Sequence, residues 1–183
     1  MSVYQPHVFN PNTELQQMWR YRFTTISKMS SWCYAFLGQG FKNARIGMET
    51  VLNVFMRKNI TDVFTGTWPN LTLAYSKLVF SAGSLDLPFN PAATASETAI
   101  TFTWTDNSGV GNASATDKAN VLIFNKSQHA AQTVLEAAAR TAATYSYTIP
   151  TAWAGDEVEL YFFMSNSEGS MNSPSVYLGN ITL

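Results

Sequence analysis

The chain has few of the residues from which most catalytic and metal sites are built. Its 183 residues include one cysteine, Cys33, and two histidines, His7 and His129. A single thiol excludes a disulfide framework and a thiolate zinc site. Two histidines leave little for acid–base chemistry or metal binding. We therefore expect no catalytic residues, no bound metal and no cofactor, and we expect that the protein is not an enzyme.

Charge and long hydrophobic runs are also scarce. Charged residues make up 13% of the sequence and the formal net charge is −1, against a usual charged fraction of ~25%. A net charge close to zero argues against a nucleic-acid partner, because such binding relies on basic residues that neutralise phosphates. No stretch approaches the ~20 apolar residues of a membrane span. The first residues lack the basic and apolar segments of a secretory signal, so we expect neither secretion nor membrane association.

The sequence divides into two parts of different chemistry. Residues 1–75 carry a net charge of +4 and residues 76–183 a net charge of −5. We predict a helical arm over residues 1–70 and a β-domain over residues 71–183. The charge split suggests that the basic part of one copy meets the acidic part of the next. Attraction between the two parts of one chain is the alternative.

Helix signals mark the first part. Thr13 stands three residues before Gln16, the spacing of a capping box. Apolar residues then recur at spacings of three and four up to Leu37, which predicts one long amphipathic helix. Gly38-Gln39-Gly40 ends it. The pattern predicts a second helix over about residues 44–58.

Short alternating runs separated by turn residues predict seven strands in the second part. This pattern predicts an α+β protein with a fibronectin-III/Ig-like β-sandwich. Three features favour that sandwich: Trp104 in the second strand, a corner over Pro150–Asp156, and a Tyr161 hydroxyl able to bond back to that corner. The predicted strands are Leu73–Ser81, Thr98–Thr105, Asn120–Asn125, Thr133–Ala138, Thr144–Ile149, Val158–Ser165 and Ser175–Leu183.

Two groups of residues invite a chemical interpretation. Asp106, Asn107, Ser108 and Asp117 offer oxygen atoms on one loop, which suits calcium. The other interpretation is a turn in which Asp and Asn bond their own backbone. Cys33 would be a nucleophile only in an open cleft, but the helical spacing predicts a buried, inert thiol.

Aromatic residues crowd into residues 1–41, and no single helix face accommodates all of them. Protein interfaces are enriched in Trp, Tyr and Phe. One interpretation is an arm with one face on its own domain and another on a partner. The alternative is a two-sided core inside a monomer. The candidate partner-binding residues are Tyr4, Phe9, Trp19, Trp32 and Tyr34.

The run Thr103–Ala119, with the sequence TWTDNSGVGNASATDKA, is the most distinctive segment of the chain. It resembles the characteristic segment of an uncharacterised Bacteroidetes protein family with a domain of unknown function. Further segments, among them Asn10–Gln17, Val63–Asn70 and Ile149–Asp156, resemble that family in the same order over about residues 10–183. The resemblance implies a Bacteroidetes or Bacteroidetes-phage setting, and it brings no established activity or site residues.

These observations lead to two functional hypotheses. The first is a non-enzymatic structural protein, most concretely a bacteriophage virion component of the tail, neck or capsid decoration. It would form homo-oligomers and contact neighbouring virion proteins through its aromatic arm. The second is a cytoplasmic bacterial Ig-like module that binds a protein or glycan through sandwich loops such as Asn107–Asp117.

Overall fold

Three helices form the first part of the chain in the computed structural model, which describes residues 12–183. They are α1 (Glu14–Trp32), α2 (Tyr34–Gly40) and α3 (Val51–Asn59). The capping box is confirmed, since the Thr13 hydroxyl accepts from the Gln16 amide and the Gln16 side chain accepts from the Thr13 amide. The prediction of two helices was wrong. Cys33 leaves helical geometry (ψ 17°) and separates α1 from α2, while Thr50 caps α3 well after the predicted start.

Nine strands in three antiparallel sheets form the rest, rather than seven. The sheet orders are β1-β2, β3-β4-β7 and β6-β5-β8-β9. No described helix is long and apolar enough to cross a bilayer. The strands are β1 (Phe64–Thr65), β2 (Thr72–Leu73), β3 (Phe89–Ala95), β4 (Ala99–Thr105), β5 (Lys118–Asn125), β6 (Ala130–Ala139), β7 (Thr144–Thr148), β8 (Glu157–Ser165) and β9 (Val176–Thr182).

The first predicted strand, Leu73–Ser81, was wrong. Apart from Leu73, which ends β2, its residues form a 3-10 turn at Tyr75–Lys77 and then an extended segment outside the sheets. Side chains take the place of a strand partner there: Asn59 bonds both the amide and the carbonyl of Val79, at 2.8 and 2.9 Å. The prediction missed the two-residue strands β1 and β2 and the longer strand β3, whose mostly exposed residues and Pro91 lack the apolar alternation of the others.

The four-stranded sheet is covered on both faces. On one face of β5, Val121 and Ile123 pack between this sheet and the three-stranded sheet. On the other face, Leu122 and Phe124 pack against the helices. Because side chains alternate along a strand, strands β5 and β8 are buried almost throughout. The helical segment is therefore a covering layer of the sheet.

Two predicted landmarks of the β part have different outcomes. Trp104 lies in β4 and packs on Phe162 with ring centres 5.4 Å apart. The Tyr161 prediction was wrong, because its side chain lies on the helix-facing side of β8. Its hydroxyl donates to the carbonyl of Tyr75 at 2.9 Å and makes no bond to the 150–156 corner.

A buried ion pair holds the loops at one end of the sheets. The guanidinium of Arg140 is 2.9 Å from the carboxylate of Asp117, and both side chains are almost fully shielded from solvent. Arg140 also donates to the side chain of Asn107 and, at 2.7 Å, to the carbonyl of Asp86. Its carbonyl accepts from the indole of Trp104 at 2.7 Å. One residue thus joins four separate segments.

We expect Asp117→Ala to destabilise the fold strongly. It leaves a buried guanidinium without its counter-ion, which costs about 3–5 kcal/mol. Urea unfolding followed by circular dichroism measures the loss. The double variant Arg140→Met/Asp117→Leu removes both charges and should lose less than Asp117→Ala alone.

The matched control is Glu49→Ala, which breaks the solvent-exposed pair between Glu49 and Arg57. Exposed pairs contribute little, so its unfolding midpoint should stay near that of the parent. Equal losses for Asp117→Ala and Glu49→Ala would contradict a special role for the buried pair.

Candidate functional site

The predicted partner-binding residues do not form one surface. Trp19 and Trp32 line two different grooves beside α1. Tyr34 is exposed at the start of α2. Tyr4 and Phe9 lie outside the described residues.

The first groove lies beside the first half of α1 and is shallow and apolar. It has a volume of about 400 Å³ and is lined by Trp19, Phe23 and Ile60, with Arg20 and Thr24 at its sides. Phe23 is 56% exposed and Trp19 40% exposed. The guanidinium of Arg22 lies 5.2 Å from the centre of the Trp19 ring, a favourable cation–π arrangement. This groove combines exposed aromatic area with positive charge.

This apolar exposure is concentrated in the helical layer. Of the eleven exposed large apolar side chains in the described residues, eight lie between Leu15 and Leu52. Single exposed apolar residues are ordinary, but contiguous ones mark an interaction surface, and Trp19 and Phe23 lie together in the first groove. The eight are Leu15, Trp19, Tyr21, Phe23, Tyr34, Ile46, Met48 and Leu52.

The second groove lies where the helical layer meets the four-stranded sheet. It has a volume of about 480 Å³, within the usual range for small-molecule sites. One wall is the second half of α1, another is the 73–75 segment, and the third is the turn between β5 and β6. We call it the aromatic groove; it is lined by Thr25, Lys28, Met29, Trp32, Leu73, Tyr75 and His129.

Stacked rings form the wall of the aromatic groove. The imidazole of His129 lies parallel to the indole of Trp32, at 3° and with centres 5.0 Å apart. Trp32 stacks in turn on Phe124 at 5.7 Å, and Phe124 stacks on Tyr75 at 5.9 Å. Because Phe124 belongs to β5 and is buried, the sheet supports this row of rings from behind.

A charged network borders the groove beyond Tyr75. The ammonium of Lys126 lies 2.6 Å from Glu157 and 2.8 Å from the buried Glu159, and 5.4 Å from the centre of the Tyr75 ring. Glu159 also accepts from the hydroxyl of Tyr177 at 2.6 Å. Burial, followed by this bond to Glu159, raises the pKa of Tyr177 above its usual range. The carboxylates in this network are thus occupied by Lys126 and Tyr177.

The polar loop considered for calcium uses its side chains internally. The hydroxyl and the amide of Ser108 bond Asp106 and lower the pKa of its carboxyl. Asn107 donates to the carbonyl of Leu87 at 2.9 Å, and Asp117 pairs with Arg140. The Asp106–Ser108 bonds are those of the turn interpretation, whereas Asn107 and Asp117 bind residues distant in the sequence. Within residues 12–183, no three His, Cys, Asp or Glu side chains converge as a metal site.

No local pattern of the sequence indicates the aromatic groove as a whole. Trp32 is a predicted contact residue, but Tyr75 falls within the predicted strand Leu73–Ser81 and His129 is not predicted to belong to a site. His129 adopts a left-handed backbone conformation (φ 50°) at the turn after β5, which presents its ring to Trp32. Residues so distant in the chain meet only through the packing of α1 on the sheet.

The described residues define an α+β protein whose helical layer carries two grooves, one exposed and apolar, the other aromatic and partly polar. A family model of unknown function, DUF6266, matches residues 1–179. The chain therefore belongs to the DUF6266 family. No curated protein matches the chain significantly.

The Cys33 thiol should be unreactive in the folded protein. Its side chain is fully buried, and burial raises its pKa to about 12, so the reactive thiolate is nearly absent at pH 8. We expect no reaction with Ellman's reagent in buffer and one thiol per chain in guanidinium chloride. Rapid labelling of the folded protein would contradict this burial.

Proposed function

We propose that this protein is a non-enzymatic interaction protein that assembles with copies of itself through exposed apolar side chains of its helical layer, centred on the groove of Trp19 and Phe23. The supporting observation is the concentration of exposed apolar side chains between Leu15 and Leu52. Covering such side chains removes apolar area from water, which is the main favourable term in most protein association.

The charge distribution favours a head-to-tail arrangement of copies. Arg20 and Arg22 flank the exposed groove in the basic part of the chain, which carries a net +4, whereas residues 76–183 carry −5. The helical face of one copy would meet the acidic β part of the next. Contacts between two different surfaces repeat from copy to copy and build rings or filaments.

We also propose that the two larger sheets form a fibronectin-III/Ig-like sandwich. The proposal is supported by the three-plus-four distribution of antiparallel strands, β3-β4-β7 and β6-β5-β8-β9. It is supported further by the shared core between them, which contains Trp104, Phe162 and Leu160. In this view residues 71–183 contain the sandwich, and the helices within residues 1–70 cover one face of its larger sheet.

The role that suits such a unit best is a building block present in many copies, most concretely a component of a bacteriophage virion. A small chain with one apolar face and two oppositely charged parts needs no active site for that role. The protein would come from Bacteroidetes or from their phages, as the sequence resemblance implies.

The assembly proposal predicts a change in mass when the helical face becomes polar. We expect the parent to form oligomers in size-exclusion chromatography with light scattering, and Phe23→Ser to shift it toward monomer. Phe23 is 56% exposed, so the substitution removes contact area with little effect on the fold. High salt should also weaken the oligomer, because it screens the charges.

The matched control is Phe89→Ser in β3, where the replaced ring is 52% exposed. This variant should keep the parent's mass. A parent that stays monomeric at every concentration, or a Phe89→Ser variant that dissociates as fully as Phe23→Ser, would overturn the proposal.

A further inference from the structure

We propose that the aromatic groove is a binding site for a small organic anion with a planar apolar body, of the arylacetate type. This inference does not depend on self-assembly, because the groove lies on the other flank of α1 from Phe23. It rests on the ring wall, on the polar groups that face the groove, and on the sign of their charge.

The wall of stacked rings favours a ligand with a planar, apolar ring. Trp32 is only half-buried, and it lies between His129 at 5.0 Å and Phe124 at 5.7 Å. A planar ring entering the groove would extend a row of stacked rings that already exists. Aromatic pairs contribute a favourable interaction beyond the burial of their area. The thioether of Met29 and the side chain of Leu73 add apolar contact at the floor.

The polar groups around the groove are unused. Within residues 12–183, the Lys28 ammonium, the Tyr75 hydroxyl and the His129 imidazole make no hydrogen bond or ion pair. Other polar side chains nearby are bonded within the chain, as Thr25 is to the carbonyl of Tyr21 at 2.9 Å. Three groups able to donate hydrogen bonds are therefore available to one ligand.

The basic side chains at the groove favour a ligand with a negative charge. Two basic side chains, Lys28 and His129, line the groove, and no carboxylate lines it. The nearest acids on the Tyr75 side, Glu157 and Glu159, are paired with Lys126. A carboxylate placed between Lys28 and Tyr75 would gain charge-assisted hydrogen bonds, whereas an ammonium ligand would meet a positive charge.

The test uses phenylacetate as the probe, with 2-phenylethanol and 2-phenylethylamine as its neutral and cationic counterparts. Binding is followed by the indole N–H signals of the full chain in two-dimensional NMR, with Trp32→Phe assigning the Trp32 signal. We expect a saturable shift of the Trp32 signal with phenylacetate. Trp104 and Trp153, buried in the other core, should not move and so report on the integrity of the fold.

Lys28→Gln is the decisive variant. Lys28 is exposed, so its replacement leaves the fold intact, and we expect phenylacetate to bind about two- to fivefold more weakly. Binding of 2-phenylethanol should be unchanged. Lys58→Gln, at an exposed lysine of α3 away from the groove, is the matched control and should bind phenylacetate as the parent does.

Three results would overturn the proposal. One is the absence of a saturable Trp32 shift, which would leave the groove to a macromolecular partner. Another is equal affinity for the acid, the alcohol and the amine, which would indicate a neutral ring ligand such as a sugar. The third is an equal effect of Lys28→Gln and Lys58→Gln. All three readouts can be repeated with Phe23→Ser, the variant expected to be monomeric, because Phe23 does not line the aromatic groove.

Discussion

The central strands of the four-stranded sheet have apolar side chains on both faces, and the rest of the molecule follows from that constraint. A sheet of this kind must be covered twice. The three-stranded sheet covers Val121 and Ile123, and the helices cover Leu122 and Phe124. Removing the helices would expose Phe124, Tyr161 and Phe163 to water, so the helical layer belongs to the folded core. Because these strands are buried on both faces, few of their residues are charged, which agrees with the low charge content of the sequence.

The helical layer meets the four-stranded sheet along a boundary where the aromatic groove lies. Its rings come from a helix, from the 73–75 segment and from a strand turn. At the other end of the sheets, Arg140 plays a comparable joining role with polar chemistry. It connects Asp117, Asn107 and the Asp86 carbonyl. Much of the distinctive Thr103–Ala119 segment therefore serves this junction, which explains its polar and glycine-rich composition without a ligand.

Local patterns were enough to predict several elements, and tertiary packing decided the others. The Thr13–Gln16 capping box and the six later strands follow from neighbouring residues, and the structure contains them. The Leu73–Ser81 prediction failed because Asn59, distant in sequence, bonds Val79 and replaces a strand partner. Strand β3 was missed because its partner β4 orders residues with weak strand signals of their own. The ring wall of the groove could not be predicted, since it depends on how α1 is rotated over the sheet.

The two halves of α1 differ in a way that bears on both proposals. Its buried residues, Ile26, Met29 and Ser30, all lie in the second half, which carries the groove wall. The first half presents Leu15, Trp19 and Phe23 to solvent. Short helices are marginally stable in water without packing of an apolar face. A second copy would add to the packing that Met18 and Tyr21 give the first half, while the second half is already held by the sheet. Assembly would therefore stabilise one end of the helix and leave the aromatic groove at the other end open.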